Sequence, residues 1–328
     1  MNRNAKIKKM YLKRFEGVNP GITRSNAEAL ISDQVTAEII QGVVEQSAVL
    51  SVGRKLPNMT SDKTRMKVLD LLPLAYWVDG DSGFKQTTNA AWANKYIYAE
   101  EIAAIIPIPE AVLEDADYDI WGEIKPLIVQ AIGQKIDGAA VFGIDKPASW
   151  RAGLVPSAIA AGNVVTDSGD LYEDIMGESG VIAKVEKSGY FPTGHMAAVG
   201  MRAKLRGLKD ADGHPLFKSD MQGATRYALD GSDMYFPMNG AFDATKAMMI
   251  TGDFKQLVYS IRKDITYKVL TEATIVDPAT KEVVYSLAQQ DMVALRVCMR
   301  LGWEIPNPVN AMETDKEKRF PFAVYKAA

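Results

Sequence analysis

The sequence predicts an α+β fold in which a few long elements are set among many short ones, and three observations carry that prediction. Apolar residues at Ile120, Ile124, Leu127, Ile128, Ala131, Ile132, Ile136 and Ala139 keep helical spacing over about five turns. Val293, Leu295, Val297, Met299 and Leu301 alternate with Ala294, Arg296, Cys298 and Arg300, the period of two that marks a strand. Between residues 64 and 106, two strand-like runs flank a polar, glycine-containing stretch, the pattern of a long two-stranded excursion.

In chain order, residues 1 to 14 come first and hold Arg3, Lys6, Lys8, Lys9, Lys13 and Arg14 with no acid. The remaining residues carry 32 basic against 41 acidic groups, so a basic arm of +6 precedes a body of −9. Such an arm can touch nucleic acid or pack on the acidic surface of a neighbouring copy. Six charges make a weak nucleic-acid signal, which favours the second reading. After the turn region GVNPGITRS, Ser25 and Glu28 stand at capping-box spacing. Ile31, Val35, Ile39 and Val43 then recur every four residues, which predicts an amphipathic helix over about 25–49, ended by Gly53.

Thr64 to Leu72 and Ala93 to Ile106 read as the strands of the excursion, separated by WVDGDSGFKQTTNAAW. Trp77, Phe84 and Trp92 lie near its tip. A lone hairpin is marginally stable in water, so these aromatics need a surface, either on their own domain or on another subunit. Pro107 and Pro109 close the second strand. The stretch VLEDADYDIWGE then places Asp115, Asp117 and Asp119 as a calcium loop would, but the sixth and twelfth positions, which require Gly and Glu, are Ile120 and Pro126. It reads instead as an acidic first turn at the positive end of a helix dipole. A helix over 119–142 would be about 36 Å long. Pro126 should kink it or mark its true first turn, and Gly143 should end it.

Beyond Asp145 the pattern shortens. It predicts a helix around 170–187, a strand at HMAAVG, a basic helical turn running into Asp212-Gly213, and strands at Met248–Thr251, Leu257–Ile261 and Asp264–Leu270. The alternating strand at 293–301 reads as half-buried with its arginines outward, and Phe320 to Tyr325 as a last strand. There is no internal repeat and no low-complexity tract.

Composition and motif content narrow the function classes. A chain of 328 residues, 47% hydrophobic and 24% charged, can bury a sizeable core in about two domains. No run approaches the 18 or so apolar residues of a membrane span, and the basic N-terminus has no apolar core behind it, so no membrane partner and a cytoplasmic site of synthesis are expected. With Cys298 alone, neither an intrachain disulfide nor a cysteine-rich zinc site can form, and the sequon Asn58-Met59-Thr60 is expected to stay unmodified. The chain has no phosphate loop, no dinucleotide fingerprint and no nucleophile elbow. The only histidines, His195 and His214, lack partners at metal-ligand spacing, and no carboxylate pair is singled out. No catalytic, cofactor-binding or metal-binding residue is expected, and the chain does not read as an enzyme.

A basic arm, an aromatic-bearing hairpin, a strut helix and a long late strand all suit a subunit that holds its neighbours. In these features the chain resembles the major capsid proteins of tailed bacteriophages, the Hong Kong-type phage capsid fold. The matching stretches are ISDQVTAEIIQGVVEQSAVL, LAYWVDGD with KQTTNAAW, YAEEIAAIIPIPEAVLEDADYDI, IGQKIDGAAVFGID, RGLKDADGHPLF, MMITGDFKQLVYSIRKDITYKV and QQDMVALRVCMRLGWEIPNPVNAM. They occur in the family's order over about nine-tenths of the chain.

The resemblance implies an N-terminal arm and helix (1–52), an extended loop lying across an adjacent subunit (53–98), a peripheral domain (99–145 and 263–304) and an axial domain (146–262 and 305–328). It makes His214 a turn residue and VLEDADYDIWGE the entry to the strut helix. It implies an icosahedral shell of pentamers and hexamers around double-stranded DNA, with scaffolding and portal proteins and a decoration protein as partners, assembled in the host cytoplasm and residing in the virion. Intersubunit contacts are expected from Trp77, Phe84, Trp92, Lys9, Arg14, Arg296 and Arg300.

Some members begin with a large scaffolding segment, whereas this chain begins with a short arm, and its Met1 favours a separate scaffolding protein. Some cross-link a loop lysine to a neighbour's asparagine. Lys63, Lys67 and Lys85, with Asn307 and Asn310, are available here, but no motif fixes the match. Two alternatives stand beside this reading: a protein-storage compartment of the encapsulin type with the same fold, and a carboxylate-based hydrolase.

Overall fold

The computed structural model describes residues 47–78, 84–85, 87–116, 119–209 and 227–328. The basic arm with Lys9 and Arg14, most of the helix expected at 25–49, and the Asp212-Gly213 turn with His214 lie outside these. The chain divides into two units. Among the described residues, one holds 101–128 and 264–299 and the other 47–100, 129–263 and 300–328. The divisions fall within the long elements, so the chain passes from unit to unit inside regular structure.

The second unit opens with α1 (Ala48–Val52), β1 (Arg54–Lys55), β2 (Lys63–Leu71) and β3 (Ala91–Tyr98). The helix expected over 25–49 does not run unbroken to its end. Ser47 is extended (φ −54°, ψ 126°), and its hydroxyl accepts a hydrogen bond from Leu50 N at 3.2 Å, so a new helix is capped there. It ends at Gly53, as expected. The second strand of the excursion also divides. The Ala99 amide bonds to Asp62 O at 2.8 Å, and β4 (Glu100–Pro109) begins beyond it.

β4 leads into α2 (Glu110–Glu114) and α3 (Ile120–Asp137). In the first unit Ile108, Val112 and Ile120 bury together, with Leu113, Trp121 and Ile124 packed against them. The helix runs through Pro126 and continues as a π-helical turn over Gly138–Phe142. Gly143 ends it at φ +70°, a left-handed conformation that suits glycine, and its amide bonds back to Ala139 O at 3.1 Å. The apolar stripe is narrower than its spacing implied: Leu127 and Ala131 are exposed.

The rest of the second unit is a six-stranded sheet under short helices. After α4 (Leu154–Ala160) and β5 (Val164–Thr166), the single helix expected at 170–187 is two, α5 (Leu171–Met176) and α6 (Val181–Lys187). Gly177 and Gly180 separate them, and a Cβ at Gly180 would come within 2.7 Å of Ile175 O. Then come β6 (Gly194–Ala197), α7 (Met201–Arg206), β7 (Ala228–Leu229), β8 (Ser232–Tyr235) and β9 (Met249–Gly252), with β14 (Phe322–Lys326) closing the chain.

The strand order is β5-β14-β9-β6-β8-β7. The C-terminal strand is interior, next to the edge strand β5, antiparallel to β9 with Val324 opposite Ile250 and parallel to β5 with Val324 opposite Val164. Ile175, Val181, Val185, Met201 and Leu205 from the helices bury against Met249, Ala323 and Tyr325.

Two 13-residue strands, β10 (Val258–Leu270) and β13 (Met292–Glu304), form a four-stranded sheet in the order β1-β10-β13-β4. β10 is one strand where two were expected at 257–261 and 264–270, because Arg262-Lys263 carries no turn-forming residue. The hairpin of β11 (Thr274–Val276) and β12 (Val283–Ser286) lies between them in sequence. β13 is not half-buried. Ala294 and Cys298 are buried like Leu295 and Val297, and only Arg296 is exposed, with Arg300 and Glu304 intermediate. Alternation located the strand, but both of its faces are covered along most of its length.

Candidate intersubunit surface

The β2–β3 hairpin is rooted in the second unit. Its ladder runs from Lys63 opposite Tyr98 to Leu69 opposite Trp92, with a bulge at Asp70 before Leu71 meets Ala91. One face, with Met66, Val68 and Ile97, turns inward, and Ile97 buries with Met59 and Val258. Three further bonds hold the root: Val309 N to Leu69 O at 2.9 Å, Trp150 Nε1 to Tyr98 O at 3.1 Å, and Ser260 Oγ to Pro57 O at 2.6 Å. Gly302 on β13 lets the strands approach, since a Cβ there would lie 2.3 Å from Tyr98 O and 2.6 Å from Ile97 Cγ2.

Lys95 points to the same inner side and donates to Ile305 O at 2.9 Å. Arg151 Nη1 donates to that carbonyl at 3.3 Å and to Glu304 Oε1 at 2.8 Å. Burial pushes the Lys95 ammonium down to about 8. Glu304 opposes that shift, while Arg151, Lys316 and Arg319 add to it.

Above this root the hairpin is bare. Trp77 and Phe84 are essentially fully exposed and Trp92 is 66% exposed, with Leu71, Leu74, Tyr76 and Val78 exposed around them. Among the described residues nothing covers these aromatics, although large apolar groups in such a cluster strongly favour burial.

The remaining sequence-selected residues are dispersed. Arg296 and Arg300 lie on β13. Lys63, Lys67 and Lys85 are exposed, but Asn307 and Asn310 are both engaged within the chain. Asn307 Nδ2 donates to Arg319 O at 2.7 Å and its Oδ1 accepts from Tyr190 OH at 2.9 Å. Asn310 Nδ2 donates to Ser188 O at 2.9 Å. Cys298 is a buried free thiol. His195 is buried with Nδ1 3.0 Å from Thr251 Oγ1 and Nε2 3.0 Å from Leu229 O, and burial lowers its pKa. Among the described residues no group of three His, Cys, Asp or Glu could hold a metal ion, and no helix is long and apolar enough to cross a membrane.

One anchoring residue was missed by sequence reasoning. Asp137, the last residue of α3, is buried and accepts four hydrogen bonds. They come from Ser47 Oγ, Ala48 N at 2.7 Å, Val49 N at 3.0 Å and Asn239 Nδ2 at 2.6 Å. It thus ties the start of α1, where the N-terminal segment joins, to the strut helix. Burial pushes its carboxyl pKa up, and the four donors pull it back without cancelling that effect. The available signal was one acid inside the otherwise apolar run IDGAAVFG.

The chain belongs to the phage capsid family, whose model matches residues 27–312. Its role is the structural one of a tailed-phage major capsid protein, and copies of it assemble into the capsid shell.

The chain is 25% identical over 279 residues to the major capsid protein of Staphylococcus phage 80alpha, covering 85% of this chain and 82% of that one. A solved structure from Microbacterium phage Oxtober96 matches with a TM-score of 0.79 and 34% identity, over 94% of this chain and all of that one. One from Mycobacterium phage Bobi matches at 0.78 and 32%, over 94% and 99%. The matches establish the mixed helix-and-sheet capsid fold and favour neither the storage-compartment reading nor the hydrolase reading.

Proposed function

We propose that the chain forms an icosahedral shell of pentamers and hexamers around packaged double-stranded DNA, and that the β2–β3 hairpin is the clasp that joins neighbouring copies. The observation that carries the clasp is the contrast between the hairpin's fixed root and its uncovered Trp77, Phe84 and Trp92. Burying these aromatics on the next subunit supplies the apolar core of each contact. Lys9, Arg14, Arg296 and Arg300 pair with acidic neighbours at the rim, and many weak contacts sum across the lattice. In this reading residues 1–52 are the arm, 53–98 the extended loop, 99–145 with 263–304 the peripheral domain, and 146–262 with 305–328 the axial domain. Scaffolding and portal proteins direct assembly in the host cytoplasm, DNA is held by non-specific contact, and a decoration protein binds outside. No step calls for a catalytic residue or a cofactor.

The test is deletion of residues 76–92 followed by light scattering and electron microscopy of the purified chain. Loss of closed shells with the fold retained is expected. Shells of normal size and stability would exclude the hairpin as the clasp.

A further inference from the structure

The outer face of the hairpin has a regular pattern that the exposed tip does not explain. Lys63, Arg65 and Lys67 occupy alternate positions of β2, all exposed, while Thr64, Met66 and Val68 between them turn inward. Across the ladder Lys63 stands opposite Tyr98 and Arg65 opposite Tyr96, both tyrosines partly exposed, and Lys67 stands opposite Asn94. The Tyr96 and Tyr98 rings lie 6.3 Å apart, and Lys63 Nζ lies 5.7 Å from the centre of the Tyr96 ring. The result is a row of three cations beside a row of phenolic donors, a surface on which every polar head is a donor toward carboxylate oxygen.

We propose that this face docks on Glu110, Glu114 and Asp119 of a second copy of the chain. The inference rests on the clasp reading and assigns it a specific electrostatic partner. Glu110 and Glu114 on α2, and Asp119 just before α3, are exposed. Strand positions two apart repeat at about 6.6 Å, and Glu110 and Glu114, four apart on α2, at about 6 Å, so one pair of carboxylates matches the spacing of two successive cations, and Asp119 adds a third negative charge beyond them. A nucleic-acid partner fits less well. Three cations neutralise about three phosphates, which gives only weak sequence-independent binding, while the body of the chain carries an excess of nine acidic groups.

The test is charge reversal in the full-length chain, read by sedimentation of shells and electron microscopy, with near-ultraviolet circular dichroism as the folding control. The triple variant Lys63→Glu, Arg65→Glu, Lys67→Glu and the triple variant Glu110→Lys, Glu114→Lys, Asp119→Lys should each reduce sedimentable shell at least about tenfold. The two sets combined in one chain should restore it to within about threefold of the parent. The milder set Lys63→Gln, Arg65→Gln, Lys67→Gln should assemble partially, with a weaker dependence on salt than the parent.

Reversals that leave assembly unchanged, or a combined chain no better than either set alone, would overturn the proposal. So would a cation-reversed chain that assembles normally but loses retention on a double-stranded DNA oligonucleotide, which would assign the face to nucleic acid. If deleting 76–92 abolishes shells while charge reversal does not, the electrostatic partner fails alone. If that deletion leaves shells intact, the clasp reading fails and this inference with it.

Discussion

Asp137→Ala should release the start of α1 from the strut helix, and the cost follows from the donors left behind. The substitution strands Ser47 Oγ, the amides of Ala48 and Val49, and Asn239 Nδ2. The Ser47 and Asn239 side chains can rotate toward other partners, but the two amides are held by the backbone. Each buried donor without a partner costs about 1–3 kcal/mol, which sets a range of about 2–6 kcal/mol. Relief of the carboxylate's own desolvation offsets part of it, so the expected loss is about 3 kcal/mol. A five-residue helix has no stability of its own to compensate.

The assay is thermal unfolding of the unassembled chain followed through the buried pair Trp150 and Trp303, whose rings meet edge to face at 6.3 Å in the same unit. At about 2–4 °C per kcal/mol, the midpoint should fall by about 6–12 °C. Asp137→Asn, which keeps one acceptor oxygen, should lose about half as much.

The pH dependence has a definite sign. The folded pKa of Asp137 lies above that of the unfolded chain, so the native state takes up the proton first on acidification. Its contribution therefore grows as pH falls through the folded value, and the parent's advantage over Asp137→Asn should be wider at pH 5 than at pH 7. A midpoint for Asp137→Ala within 1 °C of the parent, or a gap that narrows toward pH 5, would refute this account.

Other expected outcomes follow from the hairpin and its root. Replacing Trp77, Phe84 and Trp92 together with serine should leave the unfolding midpoint of the unassembled chain nearly unchanged and abolish shell formation, because these side chains are exposed in the single chain. Gly302→Val should cost about 1–3 kcal/mol or more by overpacking against Tyr98 O, read as a lowered midpoint, and should also impair assembly by displacing the hairpin. For Lys95 the folded pKa of about 8 lies below the ordinary value of 10.5, so the unfolded chain binds the extra proton between them. Denaturant titrations should show stability rising with pH across that window relative to Lys95→Met, and no difference in slope would exclude the depressed pKa. The Cys298 thiol should resist a disulfide reagent in the folded chain and react fully in denaturant.

Much of this protein is legible in its sequence wherever the controlling physics is local. The strut helix follows from the spacing of Ile120, Ile124, Ile128, Ile132 and Ile136, and its end from a glycine that adopts a left-handed turn. The strand at 292–304 follows from alternation, and the hairpin from two apolar runs around a polar tip. Stretches in family order carried the capsid assignment. Tertiary structure decided what lies across from each element. Both faces of β13 are covered, although its sequence alternates as a one-sided strand does.

Ala99 divides a run of strand formers into β3, which pairs with β2, and β4, which pairs in the four-stranded sheet. Gly177 and Gly180 divide a helix because the chain turns back on Ile175. Lys95 looks like an ordinary surface charge in a linear reading, the partners of Asp137 are not visible there, and Lys63, Arg65 and Lys67 form a face only once the ladder sets them beside Tyr96 and Tyr98. Periodicity is a property of consecutive residues and survives in the sequence. Burial, ion pairing and the use of a face depend on groups distant in sequence, 90 residues apart for Ser47 and Asp137, and only the folded chain places those.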